Sequence, residues 1–133
     1  MTPEQQALLA KAHRALETAS IVLRDGDHDA AVNRAYYAAF YAATAALLLV
    51  GETPKTHTGT HHRFRHHFVT TGRLSAAPHD ILERAYNLRQ RADYEALSLF
   101  DETGTRHLVA DVERFVRAVA AMIAAWPDQN PAP

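Results

Sequence analysis

The run Ala35-Tyr36-Tyr37-Ala38-Ala39-Phe40-Tyr41-Ala42-Ala43-Thr44-Ala45-Ala46-Leu47-Leu48-Leu49-Val50 decides the fold class. Only Thr44 interrupts its apolar and aromatic side chains. At 16 residues it falls short of the ~20 that a membrane-spanning helix needs. Many of its residues are alanines, and a helix that is apolar nearly all round belongs at the centre of a bundle, touching neighbours on more than one face. No membrane partner is therefore expected.

Helical periodicity continues on both sides. Upstream, Pro3 to Arg24 reads as a first helix, with Pro3 where a missing N–H costs nothing and Leu8, Ala12, Ala15, Ala19 and Val22 as its apolar stripe. Asp25-Gly26-Asp27 ends it, and the central helix follows from Asp29 to Val50 with Gly51 as C-cap. After a loop containing Pro54, Thr58 or Thr60 is expected to cap a third helix running through Phe64, Phe68 and Val69 to a stop at Thr71-Gly72. Ser75 to Pro78 punctuate the chain before a fourth helix, His79 to Leu97, with Ile81, Ala85, Leu88 and Ala92 at helical spacing. The last helix, Thr105 to Trp126, repeats that pattern with Leu108, Val112, Phe115, Val119, Met122 and Ile123. No stretch alternates long enough to be a strand. The expectation is an all-α, up-and-down bundle of about five helices forming one domain over residues 1–126, with 127–133 as a disordered C-terminal tail.

Composition narrows the function. Lys plus Arg number 14 against 15 for Asp plus Glu, a net charge of -1, so any RNA or nucleotide must be held by a local patch. There is no cysteine, which removes disulfides, thiolate catalysis and cysteine-ligated zinc. The opening Met1-Thr2-Pro3-Glu4 carries no basic region leading into an apolar run, so a cytoplasmic location is expected.

Three clusters carry the polar chemistry. Asn33, Arg34 and Tyr37 sit within about one turn of the central helix, and Asn33, Tyr37 and Tyr41 share one stripe. They read either as an aromatic core with internally satisfied hydroxyls or as part of a substrate-binding pocket. Lys55 and His57 lead into the third helix, whose free N–H groups favour an anion; a capped loop with a solvated lysine reads equally well. His57, His61, His62, His66 and His67 include i, i+4 pairs, but no Asp or Glu lies among them and Arg63 and Arg65 would repel a cation. No metal and no cofactor is expected, and the histidines read as a solvated face gaining charge below pH ~6.5. On the fourth helix Arg89 and Asp93 are i, i+4, with Tyr94 beside them. They form either an exposed ion pair or a phosphate-binding arginine oriented by its aspartate.

Taken together, Asn33-Arg34-Ala35-Tyr36-Tyr37-Ala38-Ala39-Phe40, Lys55-Thr56-His57-Thr58-Gly59 with Phe64 and Phe68-Val69, and Leu88-Arg89-Gln90-Arg91-Ala92-Asp93-Tyr94 resemble, in order and separation, the small single-domain branch of the HEPN family, over about Ala7 to Ile123. The resemblance implies a helical bundle that forms a homodimer and is paired, as a toxin, with a minimal nucleotidyltransferase antitoxin. It further implies metal-independent endoribonuclease chemistry in which an Arg and a following His meet at the dimer interface. Asp93 and Tyr94 stand here where that histidine would be expected. Arg73 and His79 have the motif's spacing but are separated by Ser75 and Pro78, and that match reads as chance. The expected catalytic set is thus Arg89, Asp93 and His57, with Asn33, Arg34, Lys55 and Tyr37 binding substrate and Tyr94 accepting AMP from the partner. The alternative is a non-catalytic module that binds a nucleotide or docks the nucleotidyltransferase.

Overall fold

The structure, a computed structural model, describes residues 1–74 and 80–129, with side chains as far as Trp126. Among the described residues five α-helices make up the bundle: α1 Pro3–Arg24, α2 His28–Leu47, α3 His57–Phe64, α4 Ile81–Tyr94 and α5 Glu102–Gln129. No strand occurs among the described residues, and no helix there is long and apolar enough to cross a membrane.

Local chemistry explains where each helix begins. Thr2 caps α1 in a reciprocal box with Gln5, and Pro3 follows at the start of the helix. Asp27 caps α2 through the Ala30 N–H, one residue after Gly26 turns the chain at φ +84°. The cap of α3 is Thr56, upstream of the expected Thr58 or Thr60; its hydroxyl accepts from Gly59 N–H at 2.9 Å. A Cβ on Gly59 would lie 2.7 Å from that hydroxyl, so glycine there keeps the cap in place. α2 tightens into a 3₁₀ turn over Leu48–Val50 and closes on Gly51 at φ +71°.

The first helix buries a slightly different stripe from the expected one. Leu9, Leu16 and Leu23 join Ala12, Ala15 and Ala19, whereas Leu8 and Val22 stay at the margin. Alanines on both α1 and α2 let the two axes approach, and theirs is the most extensive contact in the molecule. Tyr36, Phe64, Phe68 and Phe115 fill the wider spaces between α2, α3 and α5. α3 continues as a π-helical turn over Arg65–Val69, which seats Phe68 fully inside. α4 starts and stops inside its expected limits, ending at Tyr94, and the segment after it is tied to the start of α2: Ser98 donates to Asp29, and the His28 ring meets the Phe100 carbonyl. α5 starts earlier than expected and runs past Trp126 to Gln129, so the tail expected from residue 127 is helical for its first three positions. Residues 130–133, Ser75 to Pro78 and His79 lie outside the described residues.

Candidate functional site

Tyr36 is the hub of the site. Its ring, projecting from α2, is fully buried, and its hydroxyl lies 2.6 Å from His57 Nδ1 and 2.9 Å from His61 Nε2. The two histidines share one face of α3 because they are i, i+4, and both turn inward to the hydroxyl. Phe40 stacks on His57 with centroids 4.5 Å apart, and Tyr86 of α4 closes the other side, 4.9 Å from the His61 ring. Gln90 donates to the Tyr86 hydroxyl at 2.8 Å.

Arg89 reaches the same cluster from α4. Its guanidinium lies 5.6 Å from the Tyr36 ring centroid and 5.3 Å from that of Tyr37, and Asp93 pairs with it at 3.2 Å. Its Nε is buried without a hydrogen-bond partner. A buried guanidinium N–H left unpaired is costly, so this end of Arg89 is held in place by packing and by the Asp93 pair on its terminal nitrogen. Arg34 also lies over Tyr37, 5.2 Å from its centroid, and donates to Asn33 Oδ1 at 3.2 Å.

Electrostatics follow from this packing. Burial, and next the Arg89 charge, hold the His57 imidazolium below its usual range. Burial, and next His57, lower His61 to about 4. Burial raises the Tyr36 phenol well above its ordinary value, against the opposing pull of Arg89. Neutral histidines thus lie beside a fixed cation.

Of the residues singled out from the sequence, Asn33, Arg34, Tyr37, His57, Arg89 and Asp93 come together here, linked pairwise by the contacts above and by Tyr37 against His57 at 6.0 Å. Lys55 and Tyr94 do not join them. Lys55 is exposed in the loop before α3, whose Gly59 and Thr60 N–H groups are already taken by Thr56. Tyr94 is 84% exposed at the end of α4.

The expectation of a solvated histidine face needs correction. His62 and His66 are exposed, but His61 is buried and His67 pairs with Glu52, which also accepts two bonds from Arg63 at 2.6 and 2.9 Å. Arg63, and less strongly His67, hold the Glu52 carboxyl down at about 2. Among the described residues no three His, Asp or Glu side chains converge on a metal-sized point. The residues missed from sequence are Tyr36, His61 and Tyr86. The i, i+4 signal of His57 and His61 was legible, but their common partner comes from another helix.

A family model described as HEPN domain matches residues 5–122. The chain belongs to the HEPN family. Among HEPN-family relatives, UPF0332 protein glr0978 of Gloeobacter violaceus is 37% identical over 93% of this chain and 99% of its own length. A Methanocaldococcus jannaschii protein named "Putative toxin MJ0605" is 35% identical over 85% of this chain and 84% of its own. A second protein of that organism, named "Putative toxin MJ0142", is 37% identical over 70% of this chain and 63% of its own. The HEPN match spans all three polar segments, so the cluster around Tyr36 lies wholly inside the family domain.

Proposed function

We propose that this HEPN protein is toxin-like and cleaves RNA without a metal ion, using Arg89 to hold the scissile phosphate and His57 as general base. The observation that carries the reading is the Arg89 guanidinium sharing one aromatic cluster with a neutral His57, both against the Tyr37 ring. In the reaction His57 takes the proton of an RNA 2′-hydroxyl and the 2′-oxygen bonds to phosphorus. The P–O5′ bond breaks, and the departing 5′-oxygen takes a proton from solvent. Arg89 neutralises the charge that gathers on the phosphate oxygens, Asp93 orients the guanidinium, and Asn33, Arg34 and Tyr37 border the substrate. Lys55 meets the RNA backbone farther out, a role that fits its exposure. The working unit in this reading is a cytoplasmic homodimer, and its antitoxin is a minimal nucleotidyltransferase that transfers AMP to Tyr94. The exposure of Tyr94, in the same α4 segment as Arg89 and Arg91, supports that modification: the added phosphodiester would compete with RNA for those cations.

The test is incubation of purified protein with tRNA and mixed RNA in EDTA, followed by analysis of the ends. Cleavage leaving 2′,3′-cyclic phosphates, lost in Arg89→Ala and His57→Ala, is expected. No cleavage above the Arg89→Ala control at high protein concentration rejects the nuclease. One feature favours a second reading, a non-catalytic module that binds a nucleotide or docks the nucleotidyltransferase. Asp93 already pairs with the Arg89 guanidinium at 3.2 Å, where a scissile phosphate would compete with it. AMP binding that survives EDTA, without RNA cleavage, would select it.

A further inference from the structure

A tyrosine hydroxyl has one hydrogen and accepts through its lone pairs. At Tyr36 that hydroxyl meets two ring nitrogens at once, His57 Nδ1 at 2.6 Å and His61 Nε2 at 2.9 Å. No other acceptor for the hydroxyl hydrogen occurs among the described residues, so it goes to one of the two nitrogens, and the other then bonds only by donating its own. We propose that Tyr36 and His61 are positioning residues, the Tyr36 hydroxyl tying the tautomer of His57 to that of His61.

Two arrangements satisfy the hydroxyl. In the first, His61 Nε2–H donates to Tyr36 and the Tyr36 O–H donates to His57 Nδ1, leaving His57 with its hydrogen on Nε2. In the second, His57 Nδ1–H donates to Tyr36 and Tyr36 donates to His61 Nε2. Only the second leaves His57 Nε2 with a lone pair, and that nitrogen has no hydrogen-bond partner among the described residues. A proton taken there leaves the Nδ1–H bond to Tyr36 unbroken, so His57 would accept it without rearranging. The reactive form of His57 thus goes with a His61 that carries its hydrogen on Nδ1, as a ligand's outer partner fixes an imidazole in other sites. The low proton affinity of both rings fits this pairing, because each neutral imidazole carries one hydrogen. Phe40 stacked on His57 and Tyr86 edge-on to His61 flank the two rings and restrict their rotation.

Use of that lone pair as a base rests on the ribonuclease reading, but the tautomer coupling does not. The experiment is long-range ¹H–¹⁵N correlation NMR of the full chain with labelled histidine at neutral pH, on unaltered protein, Tyr36→Phe and His61→Asn. In unaltered protein one of the two nitrogens facing Tyr36 should be protonated and the other bare, and both variants should shift the His57 tautomer ratio. Tyr36→Phe keeps the buried ring, and His61→Asn tests the same link from the other end. Equal protonation of the two facing nitrogens, or a His57 ratio unchanged in both variants, overturns the proposal. With RNA as substrate, Tyr36→Phe should lower kcat about 10- to 100-fold with little change in KM. If unaltered protein cuts no RNA while the NMR coupling is present, the nuclease reading falls and this inference stands.

Discussion

Burial of His61 against the Tyr36 hydroxyl makes stability depend on pH above the range where carboxylates titrate. His61 falls from its ordinary 6.5 to about 4 in the folded chain, so between those values the unfolded chain binds more protons and folding weakens as pH drops. The contribution is complete above pH ~6.5, is lost progressively toward pH ~4, and amounts to on the order of 2 kcal/mol. His57 shifts in the same direction and adds to it. Glu52, held at about 2, loses its ion-pair contribution only below its ordinary 4.5, so above that pH the fall belongs to the histidines. Urea midpoints measured from pH 7 to 4.5 should fall for unaltered protein and fall less for His61→Asn, which keeps only the His57 part. A parallel fall in both would contradict the burial argument. Gly59 allows a second residue-scale prediction. Gly59→Ala places a methyl group on the Thr56 hydroxyl, and losing that cap should cost about 1 kcal/mol by thermal or urea unfolding, with little added effect of Thr56→Ala in the same chain.

At the scale of elements, close approach of α1 and α2 depends on alanine. Ala12 and Ala19 on α1 and Ala38, Ala42 and Ala45 on α2 have no exposed surface. Ala42→Leu adds volume where neither helix can give way, and a loss of about 1–3 kcal/mol in chemical unfolding is expected. Phe68→Ala, which empties the pocket under the π-helical turn, should cost about 3–5 kcal/mol. The elements were legible because this periodicity is strong: all five helices were found, α1 with both ends correct. What misled was local. Thr58 and Thr60 are good cap residues, yet Thr56 wins because Gly59 leaves room for its hydroxyl. On α3 the histidines alternate with arginines and read as solvent-facing, but His61 lies on the same side as Thr60, Phe64 and Phe68, which are buried too. Sequence spacing paired His57 with His61 and Arg89 with Asp93 because both pairs are i, i+4. It could not supply Tyr36, since only packing of α2 against α3 and α4 brings that hydroxyl to both rings.

The whole molecule carries a net charge of -1, so RNA held by the proposed site would gain little from long-range attraction and depend on a few local cations. The bundle also leaves a stripe partly uncovered along α2 and its 3₁₀ extension, including Tyr37, Phe40, Tyr41, Thr44 and Leu48, and leaves Tyr94 at the end of α4 and Leu97 and Leu99 beyond it well exposed. A second copy covering apolar surface of this kind is what the proposed homodimer requires, and light scattering over a concentration series should give twice the 14.8 kDa chain mass. A monomer throughout the micromolar range would contradict a site shared between subunits. Salt dependence then distinguishes a local patch from diffuse attraction. Each phosphate neutralised on single-stranded RNA contributes about 0.7 to the slope of log affinity against log salt. Anisotropy of a fluorescent single-stranded RNA, bound under non-cleaving conditions to His57→Ala, should therefore show a shallow slope. Adding Arg89→Ala should reduce it by about 0.7 for each Arg89 in contact. Arg106 and Arg114 on α5 pair with Glu102 and Asp111, outside the Tyr36 cluster, and replacing either should leave the slope unchanged. Equal reductions at Arg89, Arg106 and Arg114 would mean that RNA meets the surface generally and that the Arg89 cluster is not its site.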